Sequence, residues 1–220
     1  MKYDTILFDL DGTLLYTLED LSDSINHTLI EYGLPQRSIQ EVRQFVGNGL
    51  RKLVVRALPE HEDYDKFEEF LKDFIEYYNS HNRIKTKPYD GVIETTEKLA
   101  ELGIKMAVVT NKGQTASESL MDDYFRPHID IVIGDDGTHK RKPDPEPMEM
   151  ALNKLGVTDK SRVLYIGDSE VDATTAENAG LDYILCTYGF RDIDVLEKFH
   201  PIAFVDSFSK IIDIIRGHIY

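Results

Sequence analysis

The chain opens with a short apolar segment that ends in two carboxylates and a glycine, Asp9, Asp11 and Gly12. This segment, about residues 4–9, is bounded by a turn signal and predicts a buried β-strand. Because side chains alternate along a strand, Asp9 and Asp11 start on one side at its carboxyl end. Ligands bind at that end of the strands in open α/β sheets. Two acids so close together do not both ionise without a cation or a shared proton, so the pair indicates a metal site and a chemical role.

From Gly91 onward, helical and strand-like segments alternate. Helices are expected at about 92–102, 114–122, 145–155, 170–179 and 207–215, and strands at 104–109, 129–133, 163–166, 183–186 and near 203–205. Such alternation predicts βαβ units and a parallel sheet, which the strand at 4–9 should join. We therefore expect an α/β fold with a Rossmann-like, three-layer parallel-sheet core.

Between the first strand and this region, apolar residues recur at helical spacing. Helices are expected from residue 18 to about 33, after a capping box at Ser38 and Glu41, from 50 to 58, and from about 64 to 78. The block predicts an all-helical insert. The expected organisation is a catalytic core of residues 1–15 and 86–220 with an inserted helical domain of residues 16–85.

Composition limits the partners and the location of the chain. A net charge of −15 over 220 residues argues against nucleic acid and anionic membranes, since both require a basic face. No apolar run approaches the length of a membrane helix, and no export signal is visible at the start. The single cysteine, Cys186, allows no internal disulfide, so we expect a cytoplasmic protein. An anionic substrate would need a local positive site for its capture.

Two segments after the insert carry residues suited to phosphate binding. Thr110 and Asn111 follow the strand at 104–109, where a hydroxyl and backbone N–H groups entering a helix can hold phosphate. Lys142 lies in the basic loop of residues 140–145, whose prolines could fix one lysine pointing inward. Taken alone, the first segment is better explained by helix capping and the second by a solvated loop.

A third segment carries two more acids. Asp168 and Asp172 bracket the turn between the strand at 163–166 and the following helix. Oxygen ligands in this arrangement suit a hard cation. An N-cap aspartate with an ordinary acid in the first helical turn is the alternative explanation.

Together, these elements resemble the signature of the haloacid dehalogenase-type hydrolase superfamily. That signature is D-x-D-G-T after strand one, Thr or Ser after strand two, Lys before a helix and G-D-x-x-x-D after strand four. Its counterparts here are Asp9–Thr13, Thr110, Lys142 and Gly167–Asp172. The helical insert resembles the C1 cap of the superfamily, and Phe45–Gly49 within it resembles the phosphoglycolate phosphatase branch.

The resemblance implies an enzyme that hydrolyses a small phosphomonoester. Asp9 would form an aspartyl-phosphate, and Asp11 would protonate the leaving oxygen and then activate the hydrolytic water. Thr110, the N–H of Asn111 and Lys142 would hold the oxygens of the transferring group.

The resemblance also implies Mg²⁺ as the cofactor. Asp9, the backbone carbonyl of Asp11 and Asp168 would bind the ion together with a phosphate oxygen and water. Asp172 is expected to order bound water or a neighbouring ligand.

Substrate choice is expected to depend on the cap. Asn48, Gly49 and Arg51 are candidates to receive the carboxylate of a small substrate such as 2-phosphoglycolate, and a glycine turn before a solvated helix face explains them equally well. Tyr16 and Thr17 replace an acid and a serine that family members commonly carry. Their effect on cap closure and the oligomeric state both stay open.

Several other functions also stay open. An acid at Asp11 favours phosphoryl transfer over dehalogenation, because a halide leaves without a proton. A β-phosphoglucomutase-like phosphomutase, a pyrophosphatase or a nucleotidase could use the same core, although Ser169 stands where mutases tend to carry an acid. The non-enzymatic alternative is a receiver-type switch phosphorylated on aspartate, whose domain is much shorter and has no helical insert.

Overall fold

A central sheet of parallel strands forms the core of the protein. The computed structural model describes residues 1–59, 61–126 and 128–217, and for Glu62 it describes the backbone alone. The strands along the chain are β1 (Thr5–Phe8), β2 (Leu15–Tyr16), β3 (Lys87–Pro88), β4 (Lys105–Gly113), β5 (Ile131–Asp135), β6 (Val163–Gly167), β7 (Asp182–Cys186) and β8 (Ala203–Val205). The six-stranded sheet has the order β5-β4-β1-β6-β7-β8, and β2 pairs with β3 in a separate two-stranded sheet. The last three residues of the predicted core, 218–220, lie outside the described residues.

Strand β1 lies at the centre of the sheet and is buried along its whole length. Ile6 and Phe8 contribute to the apolar core on one face, and Leu7 contributes to the core on the other. A strand covered on both faces carries a continuous apolar run, which explains why no polar residue interrupts positions 6–8. The predicted α/β fold with a parallel-sheet core is confirmed.

The α-helices in the described part of the chain are α1 (Leu18–Glu31), α2 (Ile39–Phe45), α3 (Leu50–Ala57), α4 (Phe67–His81), α5 (Val92–Glu101), α6 (Gln114–Tyr124), α7 (Glu146–Leu155), α8 (Glu170–Ala179), α9 (Ile193–Leu196) and α10 (Ile211–Ile215). Most lie within three residues of the predicted bounds. Helix α9 was not predicted because a single turn is too short to show a helical period. None of the helices in these residues is long and apolar enough to span a membrane.

Strand β4 extends beyond its predicted end at Val109. It continues to Gly113 after a register shift, where Gly113 pairs with Asp135. Thr110 and Asn111 therefore lie within the strand rather than in a loop after it, and α6 begins at Gln114, where a helix was expected.

The chain forms two compact units, residues 1–15 with 88–220 and residues 16–87. The second unit contains α1 to α4, and α1 packs against α4. Its interior holds large aromatic side chains, including Phe70, Phe74 and Tyr78. The predicted capping box before α2 is confirmed, since Ser38 and Glu41 each accept a hydrogen bond from the other's backbone N–H.

A buried carboxylate ties the two ends of the second unit together. Asp20, in the first turn of α1, is 2% exposed. Its oxygens accept hydrogen bonds of 2.9–3.1 Å from the backbone N–H groups of Ile84, Lys85 and Thr86. These bonds hold the segment after α4 against the start of α1.

Removing this carboxylate should destabilise the second unit. Asp20→Ala leaves three backbone N–H donors, that of the buried Thr86 among them, without this acceptor, so we expect a loss of about 2–3 kcal/mol in the free energy of unfolding. Asp23→Ala is the matched control, because the Asp23 side chain is 60% exposed and its ion pair with Lys85 should contribute at most about 1 kcal/mol. Urea unfolding of the two variants measures the difference, and equal losses would contradict this role for Asp20.

Candidate active site

The carboxyl ends of three neighbouring strands bring the predicted site residues together. Phe8 at the end of β1 pairs with Val108 of β4 on one side and with Ile166 of β6 on the other. The residues that follow these strand positions therefore meet at one edge of the sheet. They are Asp9 and Asp11 after β1, Thr110, Asn111 and Lys112 at the end of β4, and Asp168 after β6.

Lys142 enters this edge from the loop before α7. Its side chain is 2% exposed, and Nζ lies 2.8 Å from Asp9 Oδ1 and 2.8 Å from Asp172 Oδ1. The side chain of Asn111 holds the loop in place: Oδ1 accepts the Lys142 backbone N–H at 2.9 Å, and Nδ2 donates to the Lys142 carbonyl at 3.1 Å. The lysine is thus directed inward by an amide side chain, a contact that the loop sequence does not reveal.

Asp172 is the buried anchor of this lysine. Its Oδ1 accepts hydrogen bonds from Lys142 Nζ at 2.8 Å and from the Tyr165 hydroxyl at 2.7 Å. Its Oδ2 accepts from the backbone N–H of Ser169 at 3.0 Å and from the Ser169 hydroxyl at 2.6 Å, which completes a capping box at the start of α8. Burial alone would raise the pKa of Asp172, but the Lys142 charge and the bonds from Ser169 and Tyr165 hold it below its usual value.

Asp9 and Asp168 are shifted in the opposite direction. Burial raises the pKa of Asp9 to about 7 against the opposing charge of Lys142, and the charge of Asp172 adds to the rise. Burial and the charges of Asp172 and Asp9 also raise the pKa of Asp168 well above its usual value. The oxygens of Asp168 accept hydrogen bonds from the Thr13 hydroxyl at 3.2 Å and from the Phe190 backbone N–H at 2.7 Å. Crowded, buried carboxylates thus dominate the electrostatics of this edge.

The carboxylates form a donor set suited to a divalent cation. One oxygen each from Asp9, Asp168 and Asp172 lie within 4.8 Å of one another. Asp9 Oδ1 is buried and accepts no hydrogen bond, although it pairs with Lys142 by charge. The acceptors of Asp172 are already used by protein donors, so the residues that fit a hard cation best are Asp9 and Asp168.

Two glycines allow this close approach. Gly12 has φ +88°, and a side chain there would overlap the Asp168 carboxylate. A side chain at Gly167 would overlap the Asp172 carboxyl group. Only glycine provides both the backbone conformation at position 12 and the space at the two positions.

Lys112 and Tyr165 contact the site carboxylates and were not among the predicted residues. Lys112 places Nζ 3.2 Å from Asp11 Oδ1, and its own backbone N–H donates to the Thr110 hydroxyl at 3.2 Å. Tyr165 hydrogen bonds to Asp172 from within the apolar strand β6. The sequence does show a tyrosine within an apolar strand and a lysine two residues after Thr110. Neither signal tells which acid the side chain contacts.

The chain matches the haloacid dehalogenase-like hydrolase family over residues 6–186. It belongs to that family, as predicted. A phosphoglycolate phosphatase of Cereibacter sphaeroides is 35% identical over 199 residues, which cover 89% of this chain and 90% of that protein. The pyrophosphatase PpaX of Halalkalibacterium halodurans is 32% identical over 220 residues, which cover 98% of each. A solved structure from Lactobacillus delbrueckii subsp. bulgaricus has a TM-score of 0.91 at 30% identity and covers 98% of this chain and 99% of its own.

The remaining predicted residues of this haloacid dehalogenase-like hydrolase lie in the helical unit. Asn48 accepts a 2.7 Å hydrogen bond from Arg56, whose guanidinium also donates to a backbone carbonyl. Gly49 has φ +82° and immediately precedes α3. Arg51 pairs with Glu68 at 2.6 Å. Within the unit, the side chains of Asn48 and Arg51 are thus held by neighbouring side chains.

The raised pKa of Asp9 should make the metal-free protein less stable as pH increases. The folded state binds the Asp9 proton more tightly than the unfolded state, whose pKa is about 3.8, so stability is lost as pH rises from about 4 to about 7. With chelator present, we expect the Tm of the wild type to fall across this window by several °C more than that of Asp9→Asn. Thermal melting between pH 4.5 and 7.5 measures this difference, and parallel curves would contradict the raised pKa.

Proposed function

We propose that this hydrolase is a Mg²⁺-dependent phosphatase that acts on a small phosphomonoester through an aspartyl-phosphate on Asp9. The observation that carries the proposal is the buried Lys142 beside Asp9, because a cation at the nucleophile can bind the oxygens of the group it attacks. We take 2-phosphoglycolate as the first candidate substrate, supported by the phosphoglycolate phosphatases among the relatives.

The proposed reaction has two steps. Asp9 attacks phosphorus, and the bond to the leaving oxygen breaks as that oxygen takes a proton from Asp11. Asp11, now a carboxylate, removes a proton from water as the water attacks the aspartyl-phosphate, which releases phosphate and restores both acids. Dividing the displacement in this way replaces one difficult step with two easier ones.

The phosphoryl oxygens are assigned to Thr110, the N–H of Asn111 and Lys142. Lys142 can turn its charge to the substrate while Asp172 still holds it at 2.8 Å, so its position does not depend on Asp9 alone. Preorganised donors of this kind stabilise the charge that moves onto the oxygens in the transition state. The side chain of Asn111 adds a positioning role, since it fixes the Lys142 backbone.

Mg²⁺ is the proposed cofactor, with Asp9, the backbone carbonyl of Asp11 and Asp168 as its ligands from the protein. When bound, the ion would neutralise the crowded carboxylates and polarise the phosphoryl group. Asp172 is proposed to support the site through Lys142 rather than to bind the ion, because its oxygens already accept bonds from protein donors.

We propose that the helical unit is a C1 cap and that Asn48, Gly49 and Arg51 take part in substrate choice. Caps in enzymes exclude water and contribute contacts to the substrate. Arg51 would have to exchange its ion pair with Glu68 for a substrate carboxylate, which an exposed pair can do at little cost.

Pyrophosphate hydrolysis is the second candidate. It is supported by the pyrophosphatase relative, which aligns over 98% of this chain. A phosphomutase is less favoured, because Ser169 has its hydroxyl committed to the capping box with Asp172 and offers no additional acid.

Phosphate release from a panel of esters tests the proposal. The panel contains 2-phosphoglycolate, pyrophosphate, a hexose phosphate and 4-nitrophenyl phosphate, each with Mg²⁺ and with EDTA. We expect multiple turnovers with Mg²⁺, and a loss of at least about a thousandfold in EDTA and in Asp9→Asn, because the nucleophile or the charge neutralisation is removed.

The matched control is Asp182→Asn, which changes a partly exposed carboxylate at the start of β7 that pairs with Lys2. It should retain wild-type turnover. Preference for pyrophosphate would replace the substrate assignment and keep the mechanism. Activity that survives in Asp9→Asn would remove Asp9 as the nucleophile, and a single labelling event without turnover would indicate a receiver-type switch.

A further inference from the structure

The ammonium group of Lys112 lies against Asp11 in the interior of the site. The Lys112 side chain is 1% exposed, whereas that of Asp11 is 15% exposed. Nζ lies 3.2 Å from Oδ1 and 3.4 Å from Oδ2, so the cation contacts both oxygens of the carboxylate. The lysine thus lies on the buried side of the group to which the proposed mechanism assigns proton transfer.

The two buried lysines at this edge contact different acids. Lys142 contacts Asp9 and Asp172, on the side of the nucleophile. Lys112 contacts Asp11. Asp11 is partly exposed, and a buried cation that contacts both of its oxygens limits the rotation of its carboxyl group.

The backbone gives Lys112 a defined position. Its N–H donates to the Thr110 hydroxyl at 3.2 Å, which links it to a proposed phosphate-binding residue. Its carbonyl oxygen packs against Gly134 of β5 so closely that a side chain at position 134 would lie 2.8 Å from it. Lys112 therefore belongs to strand β4, and the pairing of that strand fixes the position of its backbone.

We propose that Lys112 is a positioning residue that holds the carboxyl group of Asp11 in the orientation from which it exchanges a proton with the leaving oxygen. This inference rests on the proposed phosphatase function and adds a residue that acts through Asp11. A cation that served only stability would affect all substrates equally. A cation that acts through the proton donor affects only those substrates whose leaving oxygen needs a proton.

Leaving-group dependence tests the proposal. Ethyl phosphate and 2-phosphoglycolate release alkoxide-type oxygens that need a proton, whereas 4-nitrophenolate leaves without one. The parameter to measure is kcat/KM, because it reports only the steps up to the first irreversible transfer to Asp9. For Lys112→Met we expect kcat/KM to fall by about ten- to a hundredfold on both alkyl esters and by less than about threefold on the aryl ester. The loss on the alkyl esters is smaller than the full effect of a general acid, because Asp11 itself is still present.

The matched control is Lys105→Met, the same substitution at the opposite, exposed end of β4, where Nζ donates to the Leu155 carbonyl. It should leave all three values unchanged. Lys112→Gln, which keeps an N–H donor for Asp11, should restore part of the loss and serves as the second variant if the Met variant does not fold.

A double-mutant cycle supplies an independent readout. In an Asp11→Asn background, Lys112→Met should lower kcat/KM for ethyl phosphate by less than about twofold, because residues that act as one unit are not additive. Full additivity would overturn the proposal.

The pattern across substrates separates the remaining outcomes. Loss on 2-phosphoglycolate alone would make Lys112 a carboxylate-binding residue and overturn the positioning role. An equal loss on all three esters would overturn it in favour of phosphoryl binding or fold stability. If the wild type hydrolyses none of these three esters and neither pyrophosphate nor a hexose phosphate, the phosphatase proposal fails and the role of Lys112 fails with it.

Discussion

The ion pairs of Lys142 hold the site together electrostatically. Asp9, Asp168 and Asp172 are buried at one edge of the sheet, and such acids repel one another where water cannot screen them. Lys142 compensates part of that charge through two contacts of 2.8 Å. Breaking a buried pair leaves an uncompensated charge, so the loop that carries Lys142 and the turn that carries Asp172 depend on each other. Lys142 together with the bonds from Ser169 and Tyr165 lowers the pKa of Asp172, whereas burial and the neighbouring carboxylates raise the pKa values of Asp9 and Asp168.

The parallel sheet makes this arrangement possible. The parallel order places the carboxyl ends of β4, β1 and β6 side by side. Along the chain, β1 is about a hundred residues or more from each of the other two strands. The apolar residues of β1 alternate between the two faces and anchor the strand from both sides. The site residues therefore begin where the apolar residues of the strand end. Gly12 and Gly167 leave space for the carboxylates of Asp168 and Asp172, respectively.

The elements within the helical unit follow local rules. The capping box at Ser38 and the apolar stripe of α4 were visible in the sequence because both depend on residues three or four positions apart. The bonds from Asp20 to residues 84–86 were not, because they join segments more than sixty residues apart. The same limit explains the error at β4, where the extension to Gly113 depends on pairing with Asp135 of another strand.

The sequence by itself determined the strand-helix alternation, the family and the set of acids and lysine gathered at the sheet edge. These follow from hydrophobic period, turn residues and motif spacing, which are properties of neighbouring positions. Only the tertiary structure decided which cation contacts which acid: Lys142 with Asp9 and Asp172, and Lys112 with Asp11. It also placed Tyr165 and the side chain of Asn111 in supporting positions. Ion pairs and hydrogen bonds form over a few ångströms in space, and separation along the chain carries no information about that distance until the sheet has formed.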